Sequence, residues 1–243
     1  MKMSKSKVLC YVGCPRQFKF KYIDNLPEAE NPYAKRGIEV HEILYNFFKN
    51  FKYEEITNPK KDFLRIMKEV AGNKFELYKQ YLQNFLDYEL WRWDNTKHKN
   101  YFAPKFLEER VEANNMIGII DRIDWIPDVG YVLLDYKTGG QKPLDKQMYE
   151  LSLYAYLINI TKRIKIKEVG IIWLKESKKN KSLICKRQPI TDEDLEKALN
   201  YTNSVRNSIK MEEFDKREGS SCFFCSFKNA CKIMDGNNVE NNI

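Results

Sequence analysis

Two runs of alternating apolar and polar residues, Gly118-Ile119-Ile120-Asp121-Arg122-Ile123-Asp124 and Leu133-Leu134-Asp135-Tyr136-Lys137-Thr138-Gly139, flank the connector Pro127-Asp128-Val129-Gly130. Successive side chains of a β-strand point to opposite faces, so each run predicts a half-buried strand, with Asp135 and Lys137 on one face. The connector is built of turn residues and closes the two strands into an antiparallel hairpin. Facing residues of an antiparallel pair have numbers that sum to a constant. A loop of Pro127 to Val129 therefore sets Ile126 opposite Gly130 and Asp121 opposite Asp135. This register draws two carboxylates and an ammonium to one patch. Such a patch suits a hard cation like Mg²⁺, which takes oxygen ligands and keeps waters for a phosphate and a nucleophile. The same residues also fit an ordinary solvated hairpin, because Asp-x-Lys alone is a weak motif.

Upstream, Gly37-Ile38-Glu39-Val40-His41-Glu42-Ile43-Leu44 opens a predicted helix to about Lys49, with Val40, Leu44, Phe47 and Phe48 at helical spacing. His41 is one of two histidines and, taken alone, reads as a core or helix-surface residue. The other, His98, falls in the polar run from Asp94 to Asn100 and reads as a loop residue. Six cysteines stand at positions 10, 14, 185, 222, 225 and 231. Cys222, Cys225 and Cys231 have metal-ligand spacing but number three, so a fourth ligand is needed from elsewhere. No stretch resembles a signal peptide, since the apolar run Val8 to Cys14 is short and bounded by Lys7 and Arg16, so disulfides are not expected.

Asp121, Asp135 and Lys137 together resemble the acidic pair and lysine of the PD-(D/E)xK nuclease superfamily, and the Gly-x-x-x-His segment ending at His41 resembles its RecB-like branch. The start Tyr11-Val12-Gly13-Cys14-Pro15-Arg16-Gln17-Phe18 is similar to the Tyr-x-x-Cys-Pro-x-x-Phe of iron-sulfur nucleases of the AddB and CRISPR-associated adaptation type. The resemblance runs from about Ser6 to Lys232 and is weakest between Asn58 and Lys99. It implies an α/β fold with a restriction-endonuclease-like mixed central sheet flanked by helices. It also implies His41, Asp121, Asp135 and the Tyr136 carbonyl as ligands of Mg²⁺ or Mn²⁺, with Lys137 acting on the water or the phosphate charge. Cys14 with Cys222, Cys225 and Cys231 would hold a 4Fe-4S cluster that closes almost the whole chain into one loop. A four-cysteine zinc site has the same spacing. Cys10, one helical turn before Cys14, reads as a substitute ligand or a packed thiol, and Cys185 as structural.

The family also carries a Gln-x-x-x-Tyr pair on the helix after the hairpin, here predicted from Leu144 to Ile160. Tyr154 matches the tyrosine, while Glu150 occupies the glutamine position and Gln147 stands one turn earlier. Either Gln147 contacts substrate or Glu150 has replaced it, and Tyr154 equally fits the core. Glu108, Glu109 and Glu112 lie just upstream of the hairpin, and one of the three is expected to assist, the choice being left open.

The motifs span the 243 residues, which predicts a single nuclease domain over 1–243 with a helical insertion over 58–99 and a cluster region formed by 214–232 and Cys14. In the insertion, Tyr78, Leu82 and Phe85 at i, i+4 and i+7 predict a packed face, while the interleaved bases and aromatics also suit stacking on unpaired bases. Strands near Val169 to Leu174 and Leu183 to Gln188, a helix from Asp192 to Met211 capped by Thr191, and an Asn-rich disordered tail from Met234 to Ile243 complete the reading. A net charge of +8 and pI of 9.0 favour a polyanionic partner, DNA, and no apolar run reaches membrane-spanning length, which predicts a cytoplasmic protein. The expected activity is metal-dependent exonucleolytic hydrolysis of DNA, on single strands or ends. The alternatives are a spacer-acquisition nuclease working with partners and a non-catalytic iron-sulfur DNA-binding protein.

Overall fold

The turn at residues 127–129 forms as its residue types predict. Asp128 takes the left-handed conformation at φ +68°, and the Val129 N–H donates to the Ile126 carbonyl at 3.1 Å. It joins β2 (Met116–Ile126) to β3 (Gly130–Lys137), with Ile126 opposite Gly130 and Arg122 opposite Leu134. That is the predicted register, and Asp121 and Asp135 are the next positions along it. A second hairpin precedes it: Asn114 and Asn115, at φ +51° and +57°, turn β1 (Phe106–Ala113) back into β2 through the two-residue form that needs left-handed backbone at both positions. β4 (Ile166–Trp173) runs parallel to β3, and β5 (Cys185–Pro189) antiparallel to β4, giving a mixed sheet in the order β1-β2-β3-β4-β5. The computed structural model describes residues 1–175 and 184–236; Leu183 of the predicted fifth strand and residues 237–243 of the predicted tail lie outside them.

The chain divides into two compact units, Met1–Asn31 with Leu199–Ile243, and Pro32–Ala198. In chain order the helices are α1 (Lys5–Gly13), α2 (Pro15–Tyr22), α3 (Pro32–Lys49), α4 (Pro59–Ala71), α5 (Lys74–Leu77), α6 (Lys79–Asn95), α7 (Met148–Lys162), α8 (Asp192–Lys210) and α9 (Lys228–Met234). The predicted helix at Gly37 therefore begins at Pro32, whose fixed φ suits the first helical turn. The helix predicted from Leu144 begins as a 3-10 turn, Asp145–Gln147, before α7. α9 ends at Met234, the first residue of the segment read as a tail. Thr191 caps α8 as expected: its Oγ1 accepts from the Asp194 N–H at 3.2 Å, while Asp194 Oδ2 accepts from the Thr191 N–H at 2.9 Å. No described helix is long and apolar enough to cross a membrane.

In the larger unit, Val132, Leu134 and Tyr136 of β3, with Ile172 of β4 and Leu174 just beyond it, join α3, α4 and α6 in one apolar core. Phe47 meets Phe85 and Phe63 there edge to face, with centroids at 5.2 and 5.7 Å. Each such ring contributes about 1.5–3 kcal/mol by leaving water. Tyr78, Leu82 and Phe85 are buried in this core, as their spacing predicts. α7 covers the opposite face of the sheet. Tyr154 and Leu157 of α7 lie so close over Gly118 that a Cβ there would stand 2.8 Å from the Tyr154 ring.

β2 does not keep simple alternation along its whole length. Gly118 faces α7, whereas Arg122, an even number of residues on, faces α6. The strand turns over at Asp121, beside Glu108 of β1, whose left-handed φ of +46° interrupts the ladder between the pairs Leu107 with Arg122 and Glu109 with Ile120.

Arg122 is wholly buried. It grips Asp124 with two bonds, Nε to Oδ1 at 2.7 Å and Nη2 to Oδ2 at 2.9 Å, while Nη1 reaches Glu89 of α6 at 2.6 Å and the Tyr136 hydroxyl at 2.9 Å. Arg92 adds a second cation on Asp124 at 2.7 Å. A buried charge stripped of its partner is far more costly than the pair is stabilising. Arg122→Met should therefore lower unfolding free energy by about 3–5 kcal/mol in urea titration, whereas a loss under about 1 kcal/mol would contradict the network's structural weight.

Candidate active site

Three carboxylates occupy neighbouring register positions on three adjacent strands: Glu108 on β1, Asp121 on β2 and Asp135 on β3. Asp121 and Asp135 are buried, and Glu108 is half-buried. Asp121 Oδ2 accepts the Tyr136 backbone N–H at 2.7 Å, a side chain taking the place of the next ladder bond. His41 of α3 reaches over from the helical layer. Its Nδ1 lies 3.4 Å from Asp121 Oδ1 and 3.8 Å from Glu108 Oε1, and its Nε2 is 3.1 Å from the Tyr136 carbonyl oxygen. Among the described residues, His41, Glu108 and Asp121 each offer one ligand atom within 4.8 Å of the others.

Crowding sets the electrostatics. Burial raises the Glu108 carboxyl to about 7, and the charges of Asp121 and Asp135 add to the effect. Burial alone would lower His41, but Asp121 above all, with Asp135 and Glu108, pushes it up to about 9. At neutral pH the patch thus retains protons on groups that would ordinarily be neutral imidazole and free carboxylate. A divalent cation neutralises the same charge, so the donor set fits a hard metal ion.

Lys137 lies beside Asp135, with Nζ 2.7 Å from Oδ2, and also 3.1 Å from Glu150 Oε2 of α7. Asp135 and Lys137 therefore share a face and an ion pair, and Glu150, in the glutamine position, is drawn to the lysine. Gln147 is buried in the 3-10 turn before α7, with its Nε2 making no hydrogen bond among the described residues. Tyr154 is buried against Gly118. His41, Asp121, Asp135, Tyr136 and Lys137 come together as expected by position. Of the three upstream glutamates, Glu108 meets them, whereas Glu109 pairs with Lys162. The signal for Glu108 lay in Asn114-Asn115, because a two-residue hairpin there sets Glu108 opposite Asp121 by the same constant-sum rule.

In the smaller unit, Cys14, Cys222, Cys225 and Cys231 line one cavity of about 360 Å³ together with Arg16, Arg217 and Lys228. Cys14 sits at the N-cap of α2, where its Sγ accepts the Arg217 N–H at 3.4 Å, and Arg16 Nη1 is 3.8 Å from Cys231 Sγ. Cys10 is outside this lining, and burial pushes its thiol up to about 11. Cys185 lies in β5 of the other unit, and burial likewise raises it to about 11.

A family model described as the PD-(D/E)XK nuclease superfamily matches residues 2–232. No curated protein matches the sequence. Among solved structures, one described as a "Putative exonuclease" from Eubacterium rectale superposes with a TM-score of 0.53 at 14% identity, covering 100% of this chain and 90% of that one. That likeness extends to the fold, a mixed sheet flanked by helices of the restriction-endonuclease-like kind.

In metal-free protein the His41 imidazole should titrate near pH 9. Asp121→Asn removes the largest charge holding its proton, so the midpoint followed by NMR should fall by about 1–3 pH units. An unchanged midpoint would show that Asp121 is not the group His41 faces.

Proposed function

The chain belongs to the PD-(D/E)XK nuclease superfamily, and on that premise we propose that it is a RecB-like, Mg²⁺- or Mn²⁺-dependent DNA exonuclease acting on single strands or strand ends. The observation that carries this reading is the meeting of His41, Glu108, Asp121 and Asp135 beside a lysine. A surface built to bind phosphate without chemistry gains nothing from gathering carboxylates where phosphate must approach.

His41, Asp121, Asp135 and the Tyr136 carbonyl would hold the cation, with Glu108 at its edge. When bound, it neutralises phosphate charge and acidifies a water. The protein's own groups do the rest. Asp121, fixed by the Tyr136 N–H, cannot swing away from the patch. Lys137 would meet the negative charge that develops on the phosphate oxygens, and Asp135 and Glu150 hold its ammonium in place from two sides. Gln147, with an uncommitted buried amide edge, and Tyr154 would line the path of the substrate strand.

We further propose a 4Fe-4S cluster on Cys14, Cys222, Cys225 and Cys231. The four cysteines line one cavity, where the Arg217 backbone N–H donates to Cys14 Sγ and Arg16 Nη1 to Cys231 Sγ. A four-cysteine zinc site has the same ligands, and the resemblance to iron-sulfur nucleases is what favours the cluster. With these parts, the whole chain would work as one nuclease, residues 58–99 forming its helical insertion and residues 214–232 with Cys14 its stapled region.

End-labelled single- and double-stranded DNA should be degraded with Mg²⁺ or Mn²⁺ and remain intact in EDTA. Lys137→Ala should slow the cleavage about 10²–10³-fold; equal rates would remove Lys137 from the chemistry. Anaerobically purified protein should contain iron and acid-labile sulfide and be brown, whereas zinc without iron would overturn the cluster.

A further inference from the structure

The outer turns of α3 hold a feature that the chemistry above does not use. Tyr33 is 72% exposed although it is one of the large aromatic side chains of the chain. The Arg36 guanidinium lies over its ring at 5.2 Å and over the ring of Tyr81 of α6 at 5.3 Å. Tyr81 is anchored, since it packs against the apolar core. The guanidinium is thus held between two ring faces, and the exposed tyrosine is held in turn by the guanidinium.

The position of this stack follows from the helix. Tyr33, Gly37 and His41 are spaced i, i+4 and i+8, so they form one stripe along α3. His41 ends that stripe at Asp121 and the Tyr136 carbonyl. Gly37, one turn out, passes β3 where it leaves the sheet: a Cβ on Gly37 would stand 3.7 Å from Thr138 Oγ1. Tyr33 lies a further turn out, about 12 Å from His41 along the axis at about 1.5 Å per residue. A stacked strand advances about 3.4 Å per nucleotide, so a strand whose phosphate is at the carboxylates reaches Tyr33 a few nucleotides away.

We propose that Tyr33, backed by Arg36 and Tyr81, is a stacking platform for an unpaired base of the strand being cleaved. The inference rests on the nuclease reading and names the form of its substrate. An aromatic ring offers a sequence-tolerant face to any base, and the adjacent guanidinium attracts the phosphates on either side. Bases inside a duplex have both faces covered by their neighbours, so the platform selects single-stranded DNA or a frayed end.

The test separates stacking from charge. Binding of a fluorescent twelve-residue oligothymidylate is compared with that of a strand of equal length and charge made of abasic sites, using the Lys137→Ala protein with Mg²⁺ and short incubation so that cleavage is slow beside binding. The Lys137→Ala protein should bind the thymidylate more tightly, and adding Tyr33→Ala should weaken that binding roughly 5- to 100-fold while leaving abasic binding within about twofold. Tyr33→Phe, which keeps the ring, should bind like the parent. Tyr33→Ala that still prefers the base-bearing strand overturns the platform, even if the native enzyme digests DNA. Conversely, a Tyr33-dependent preference in a protein that cleaves nothing under any metal upholds the platform and overturns the nuclease reading. No binding of either strand overturns both.

Discussion

Mutual repulsion among Glu108, Asp121 and Asp135 is the constraint on which the larger unit depends. Three carboxylates at adjoining register positions, two of them buried, cannot all be charged at neutral pH without compensation. The structure answers in three ways: burial and its neighbours raise Glu108 to about 7, His41 stays protonated up to about 9, and the Tyr136 N–H donates to Asp121 while Lys137 forms an ion pair with Asp135. A site that must hold protons and an ammonium to be quiet alone is one that a divalent cation and a phosphate can complete.

The patch is rigid because Tyr136 belongs to two systems at once. Its peptide faces the site, donating its N–H to Asp121 and offering its carbonyl to His41. Its side chain points the other way, where the hydroxyl meets Arg122 within a buried cluster with Glu89 and Asp124. Glu89 comes from α6, so the helices over residues 58–99 reach the back of β3 through charge as well as through the phenylalanine core. The turnover of β2 at Asp121 lets adjacent residues serve opposite layers: Asp121 the site, Arg122 the cluster beneath it.

Much of this was legible in the residues, and the parts that were not have physical reasons. The register at Pro127 to Gly130 followed from turn chemistry and a constant sum, and it set Asp121 opposite Asp135 as the ladder does up to Arg122. The same rule applied at Asn114-Asn115 would have picked Glu108, but its left-handed φ is a tertiary property that no local propensity for glutamate announces. Arg122 read as the polar member of an alternating strand; that it is buried depends on Glu89, 33 residues away. Gln147 and Glu150 could not be told apart by helical spacing because Gln147 lies in a 3-10 turn, where the α-helical angle does not hold. Cys14 shares a lining with Cys222, Cys225 and Cys231, a neighbour that the spacing of the last three left open.

The measurement that tests the account most directly is a Mn²⁺ titration followed by EPR of the free ion, on native protein and on Asp121→Asn. The account predicts that native protein removes Mn²⁺ from solution at a saturable site and releases protons as it does so, and that Asp121→Asn, lacking the middle carboxylate, loses that site. Equal Mn²⁺ uptake by the two proteins, or no saturable uptake by either, would contradict a metal centre built on Asp121 and its two neighbours.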